Sequence, residues 1–254
     1  MKTLLVFIVT VLILSGCAPD KDAEFSLSNI KLMEPTNVAI IENKIKVAHM
    51  ICAEHSRCET NNDTIISTYY DVQGRLRELW RREDNYGELY EYVDNTNWET
   101  KRTITTKGSV TYSINYDINQ QDKTLTEYAI DGADTMETIK YEFDDQGYVT
   151  KYSSDKSNLV NLLQYNKEGL VTKLTIQYPD TSFYIQEFGI QEMEKAYKVE
   201  EDYEYFDGHL NNSIRRYYDI YGNKFFEPTT FKYRYDGLME SIDGRFRYIF
   251  SYGK

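Results

Sequence analysis

From Ile65 onward the chain falls into short runs of alternating apolar and polar residues, separated by Asp, Asn and Gly. A period of two belongs to strands that bury one face. Ile139, Tyr141 and Phe143 share one side of such a run, and Leu170, Leu174, Ile176 and Tyr178 one side of another. Upstream, "NVAIIENKIKVAHMI" (residues 37–51) predicts a hairpin with Glu42-Asn43 in its turn. Ile45, Val47, His49 and Ile51 would then alternate onto one face. Residues 52–63 read as a polar loop. No stretch of the body holds a long 3.6-residue period; "EFGIQEMEKAYKVEED" (187–202) comes nearest to a helix.

The punctuation between runs repeats. Tyr70-Asp71-Val-Gln-Gly74-Arg-Leu76 returns as Phe143-Asp144-Asp-Gln-Gly147-Tyr-Val149, as Tyr165-Asn166-Lys-Glu-Gly169-Leu-Val171 and as Tyr218-Asp219-Ile-Tyr-Gly222. Partial copies stand at Asp84–Gly87, Tyr116-Asp117, Phe206-Asp207-Gly208 and Tyr235-Asp236-Gly237. Each part has a backbone task. The aromatic ends a strand against the sheet face, Asp or Asn accepts backbone N–H groups to start a type I turn, and glycine supplies a left-handed residue. The Leu or Val two places on restarts the alternation. These positions are therefore turn-formers rather than ligands. Each copy offers one or two carboxylates, too few for a calcium loop, and the full EF-hand spacing is absent.

The phrase resembles the YD (Rhs-type) repeats of bacterial surface and toxin-delivery proteins over roughly residues 65–254. The resemblance implies an all-β architecture, an antiparallel meander of hairpins forming a twisted sheet able to curl on itself. Long arrays in that family close into a shell around a toxin. Here the copies are few and unevenly spaced, so a closed shell and its cargo role are not expected.

The N-terminus resembles a bacterial lipoprotein leader. Lys2 precedes an apolar stretch from Leu4 to Leu14, too short for a spanning helix of about 20 residues. Leu14-Ser15-Gly16-Cys17 then matches a lipobox, which implies that Cys17 is acylated and becomes the first residue. Acyl chains on one residue make a stable anchor. The expected organisation is a signal peptide at 1–16, a tether at 17–24 and a single β-rich domain at 25–254. Ala18, not Asp, follows the cysteine, which implies outer-membrane sorting under the enterobacterial rule. Asp20, Lys21 and Asp22 resemble a surface-export signal, so the membrane face stays open.

Charge and composition narrow the function. The net charge is −12, one unit more negative once Lys2 departs with the leader, which argues against nucleic-acid binding through a bulk field. It would suit a basic partner, though solubility alone accounts for it. The 24 tyrosines point to pleated, half-buried surfaces.

"HMICAEHSRC" carries His49, Cys52, His55 and Cys58, a zinc-like set by residue type. Steps of three alternate faces along a strand and spread too far along a helix to surround one ion. In an oxidising compartment, with Cys17 acylated, Cys52 and Cys58 are expected to pair as a disulfide. No cofactor or metal is expected. There is no G-x-S-x-G elbow or H-E-x-x-H, and His209 sits in a turn. Trp80, Trp98 and the tyrosines could form a stacking platform, with ordinary sheet packing the simpler reading. The reading is a lipid-anchored, non-enzymatic binding or scaffold protein of the envelope, with an unknown protein or glycan partner; immunity against a basic toxin is one form of it. The alternative is an envelope glycan hydrolase using a carboxylate pair.

Overall fold

The computed structural model describes residues 25–33, 37–52, 64–82, 85–106, 108–157, 159–177, 183–185, 194–224, 227–243 and 246–252. A short 3-10 turn at Leu27–Asn29 and one helix, α1 (Asn37–Glu42), precede the sheet. Then follow β1 (Ile45–Cys52), β2 (Thr64–Tyr70), β3 (Leu76–Arg81), β4 (Tyr86–Tyr92), β5 (Glu99–Thr105) and β6 (Ser109–Asn119). The middle of the chain supplies β7 (Thr124–Asp131), β8 (Asp134–Phe143), β9 (Val149–Ser154), β10 (Val160–Tyr165) and β11 (Val171–Gln177). A separate two-stranded hairpin, β12 (Phe183–Ile185) with β13 (Glu194–Ala196), interrupts the series. The last strands are β14 (Lys198–Phe206), β15 (His209–Tyr218), β16 (Thr229–Tyr233), β17 (Met239–Ile242) and β18 (Phe246–Tyr252).

Sixteen of these strands form a closed antiparallel barrel, each beside its neighbour in sequence, with β14 following β11. The all-β antiparallel meander is as expected, and its closure corrects the expectation of a sheet that twists or curls without closing. Closure does not depend on how many copies of the phrase exist. It requires only that β1 find β18, and the two pair in antiparallel register from Ile45↔Tyr252 to Cys52↔Phe246. No sheet edge in the barrel then remains for a peptide to extend.

Two local expectations also fail. Residues 37–42 are helical, because Ala39 and Ile40 bury against Ile45 and Leu238 instead of pairing with β1. Within 187–202, the described residues are strands β13 and β14. Val199, Glu201, Tyr203 and Tyr205 share a face there, and cross-strand pairing overrides the weak helical pattern. A register shift between Ile45 and Val47 changes which β1 residues face inward. Ala48, Met50 and Cys52 are buried on the inner face, while His49 points outward and bonds the Ser67 hydroxyl at 2.9 Å.

One parity carries nearly all the buried residues around the ring: Met50, Ile114, Leu125, Tyr141, Tyr217, Phe231 and Phe246 among them. In a closed barrel this is the concave side. The outer parity is largely polar on β5 and β6, with Lys101, Thr103, Thr105, Ser113, Asn115 and Asp117, and carries scattered apolar residues such as Leu89 and Ile249 elsewhere. A strand-spanning membrane barrel presents the reverse, an apolar belt outside and a polar lumen. Among the described residues no helix is long and apolar enough to cross a membrane.

Antiparallel turns alternate between the two mouths of the barrel. The mouth where the chain enters β1 also carries the turns β2–β3, β4–β5, β6–β7, β8–β9, β10–β11, β14–β15 and β16–β17. Asp71, Asp144 and Asn166 therefore share this entry mouth, whereas Asp219, between β15 and β16, stands at the far one.

Candidate functional site

At the entry mouth the phrase builds one geometry three times. Asp71 Oδ1 accepts from the Gln73 and Arg75 amides at 2.8 and 3.0 Å; Asp144 does the same for Gln146 and Tyr148, and Asn166 for Glu168 and Leu170. Gly74, Gly147 and Gly169 donate back to the carbonyls of Asp71, Asp144 and Asn166 at 3.0–3.1 Å, and their φ angles are 74°, 82° and 80°. Just inside each turn the register slips. Phe143 pairs with Val149 and Tyr165 with Val171, so both aromatic and aliphatic point inward. Asp219 and Gly222 (φ 83°) repeat the turn at the far mouth. The carboxylates are spent on backbone amides, and Asp71 also pairs with Arg75 at 2.7 Å.

The aromatic does more than end the strand. Tyr165 donates its hydroxyl to the Val149 carbonyl at 2.6 Å, Tyr205 to Val171 at 2.8 Å, and Tyr92 to Leu76. Each acceptor lies two residues after the glycine of the preceding phrase at that mouth. A hydroxyl thus ties one hairpin to the next, which accounts for tyrosine over phenylalanine at these positions.

Two partial copies fall elsewhere. Tyr116-Asp117 lies inside β6 and forms no turn. At 234–238 Arg234 occupies the position of the acid, with its amide donating to Leu238 at 2.8 Å, and Tyr233 is the inward aromatic. Asp236 instead pairs with Arg234 at 2.5 Å.

The N-terminal segment docks at this mouth. Lys31 donates to Gly147 at 2.7 Å and accepts from Val149 at 3.0 Å; Trp98 donates to the carbonyls of Leu27 and Ile30 at 3.1 Å each. Phe25 stacks on Phe143 with centroids 5.4 Å apart. On the opposite side, Asn43 donates to the Asp236 carbonyl at 3.3 Å. Trp98, buried edge-on to Tyr141 at 5.1 Å, is core rather than a platform. Trp80 lies over Gly87, where a Cβ would come within 2.4 Å of its ring.

The inner wall holds charges that the sequence reading did not single out. Glu127 is 5% exposed and accepts the Tyr141 hydroxyl at 2.9 Å. Burial raises its carboxyl above the ordinary 4.5, with that bond opposing the rise and Glu99 adding to it. Arg102 holds Glu99 through two bonds, 2.8 and 3.0 Å. Tyr116 lies opposite Glu127 across β6–β7, and burial followed by the Glu127 charge pushes its hydroxyl far above 10. A second buried carboxylate, Glu201, accepts from Ser213 at 2.8 Å and from Arg215 at 2.7 and 3.0 Å. The signal was present: Glu127 falls in phase with Leu125 and Ala129, and Glu201 with Val199 and Tyr203. An acid on the apolar parity of a strand marks a buried charge.

Cys17, His55 and Cys58 lie outside the described residues. Cys52 is fully buried at the far end of β1. Among the described residues no group of three or more His, Cys, Asp and Glu could hold a metal ion.

No known family model and no curated protein matches the chain. Among solved structures it is similar to a porin-like protein from Bacteroides uniformis ATCC 8492, with a TM-score of 0.31 and 11% identity over 82% of this chain and 98% of that one. A likeness at that level assigns no family.

Proposed function

We propose that the chain is a lipid-anchored, non-enzymatic binding or scaffold protein of the cell envelope that recognises a protein or glycan partner. The observation that carries this reading is the seating of residues 25–33 and 37–44 in one mouth. Residues 18–24 separate Phe25 from Cys17, a reach of at most about 27 Å at ~3.4 Å per residue. An acyl anchor on Cys17 would thus hold the entry mouth toward the lipid and offer the far mouth to a partner. That mouth bears the β12–β13 hairpin and the exposed Ile220 and Tyr221. The acidic balance suits a basic partner, an incoming toxin among them.

The test immobilises the mature protein through residue 17 in envelope extract. A retained protein or glycan that is lost with Ile220→Ser and Tyr221→Ser supports the reading. A partner that binds both forms equally overturns the assignment of the far mouth.

One observation favours glycan hydrolysis as a second reading. Glu127 and Glu99 stand on the inner wall two strands apart, roughly 10 Å between backbones; one is raised by burial and the other is paired with Arg102. Two carboxylates in unlike environments are what an acid and its partner require. Glycan turnover abolished by Glu127→Gln, without loss of fold, would decide for that reading.

A further inference from the structure

The entry mouth has an apolar arc that no described residue covers. Val72 is 99% exposed, Tyr235 90% and Phe206 77%, and Ile41 and Tyr252 are half-exposed beside them. These residues occupy the β14–β15 and β16–β17 turns, the end of β18, α1 and the β2–β3 turn, which are consecutive around the ring. The rest of the same rim is polar at its tips, with Asp94-Asn95, Gln120–Lys123, Asp145-Gln146 and Lys167-Glu168. Behind Ile41 and Val72 opens a cleft of about 790 Å³, lined by Ile40, Ile41 and Val47 with three cations, Lys44, Lys46 and Arg77, and two carboxylates, Glu78 and the Arg75-paired Asp71. None of these three cations forms an ion pair among the described residues.

We infer that this arc is a membrane-contact surface, its apolar tips entering the interfacial zone of a phospholipid bilayer while Lys44, Lys46 and Arg77 reach the lipid phosphates. Single apolar tips flanked by long cations suit that zone, where aromatic rings sit at headgroup depth and lysine stems extend along apolar surface with the ammonium in water. The occupant follows from the chain path. Phe25, eight residues after Cys17, lies at this mouth and not the other, so with Cys17 acylated the bilayer is the surface the arc meets first. The inference rests on the anchored reading above and deepens it: the barrel stands on the lipid instead of hanging from it. The overall negative charge does not oppose the contact, because charges beyond about 8 Å are largely screened at physiological salt.

The experiment separates this contact from the anchor itself. The chain from residue 17 carries a polyhistidine tag in place of acyl chains and is held on phosphatidylcholine vesicles by a nickel-chelating lipid, so native acylation plays no part. Val72→Trp or Tyr235→Trp adds a reporter to the arc, and Tyr221→Trp adds one to the far mouth; each is compared with the parent signal of Trp80 and Trp98. With brominated acyl chains, the reporters at 72 and 235 should lose most of their added emission and the one at 221 should keep it. Quenching at 221 alone, or at none of the three, overturns the proposal whatever the fate of Cys17. A dimer in solution that Phe206→Ser dissolves, with the arc unquenched on vesicles, would assign the surface to a second copy and likewise overturn it.

Discussion

Gly147 and Gly222 provide a controlled comparison, because they occupy the same turn with almost the same φ, 82° and 83°. Only their surroundings differ. A Cβ on Gly222 meets nothing within 4 Å, whereas one on Gly147 would sit 2.1 Å from the Asn29 carbonyl oxygen. Gly222→Ala should therefore cost only the left-handed strain, about 1–2 kcal/mol. Gly147→Ala adds displacement of residues 29–31. Two backbone hydrogen bonds, from Lys31 to Gly147 and from Val149 to Lys31, are lost at about 1 kcal/mol each. Ile30, 4% exposed against Trp98 and Leu125, loses part of its burial as well. The expected cost is about 4–5 kcal/mol, some 3 kcal/mol beyond the control. Urea unfolding followed by circular dichroism measures both. A third arm checks the route: Ile30→Ala should cost about 2–3 kcal/mol in the parent but much less in Gly147→Ala, where the segment is already displaced. Equal destabilisation by the two glycine substitutions, or full additivity with Ile30→Ala, would refute the docking of the N-terminal segment on this turn.

Cys17→Ser should move the protein from the membrane fraction to the soluble one, and continued sedimentation with membrane would defeat the lipobox reading. Non-reducing mass spectrometry should find Cys52 joined to Cys58; closing so small a loop contributes about 2 kcal/mol, and reducing agent should lower stability by that amount. For Glu127, whose carboxyl burial raises above 4.5, the favourable contribution is complete below the unfolded value and is lost as pH rises through the higher folded one. Glu127→Gln should accordingly gain stability relative to the parent as pH rises from 4.5 toward neutrality; a pH-independent difference would contradict the burial. Arg215→Met should cost about 3 kcal/mol by stranding Glu201, and adding Glu201→Gln should recover much of it, as thermal unfolding can show.

The turn chemistry was legible because it is local. Asp71, Asp144, Asn166 and Asp219 need only the next four residues to satisfy them, so their spacing to glycine carries the whole instruction. Closure was not legible, since the pairing of Ile45 with Tyr252 spans the entire chain and neither strand advertises its partner. The helix at 37–42 was missed for a related reason. Its two buried residues answer to Leu238, supplied by a turn two hundred residues away, and an apolar run that short fits strand or helix equally. The tethering role of tyrosine was hidden too, because an aromatic before an acid suits packing alone until the Val149 carbonyl is seen beside Tyr165. For the inner charges the opposite holds: Glu127 and Glu201 could be found by marking acids on the apolar phase of each run.

Closure also explains the tyrosines. Sixteen strands about 4.8 Å apart give a tube roughly 25 Å across if round, well beyond the ~10 Å that two facing layers of side chains fill. Leu125, Phe143 and Phe246 are buried where the inner wall is packed, so tyrosine serves the stretches of that wall that stay partly open. Tyrosine lays its ring along the wall and ends in a group that can find a carbonyl or water. Tyr112, Tyr116, Tyr152, Tyr203 and Tyr248 accordingly stand inward and only partly buried. Where the wall is driest, Tyr248 bonds the Met50 sulfur at 3.4 Å and Tyr141 bonds Glu127. Residues 25–33 and 37–44 complete the argument at the entry mouth. They bury Ile30, Ala39 and Ile40 against the inner residues at this mouth, so the N-terminal segment is part of the core of the barrel. Were Cys17 acylated as proposed, a pull on residues 18–24 would be borne first by the Lys31–Gly147 and Trp98–Leu27 bonds, and so by the core itself.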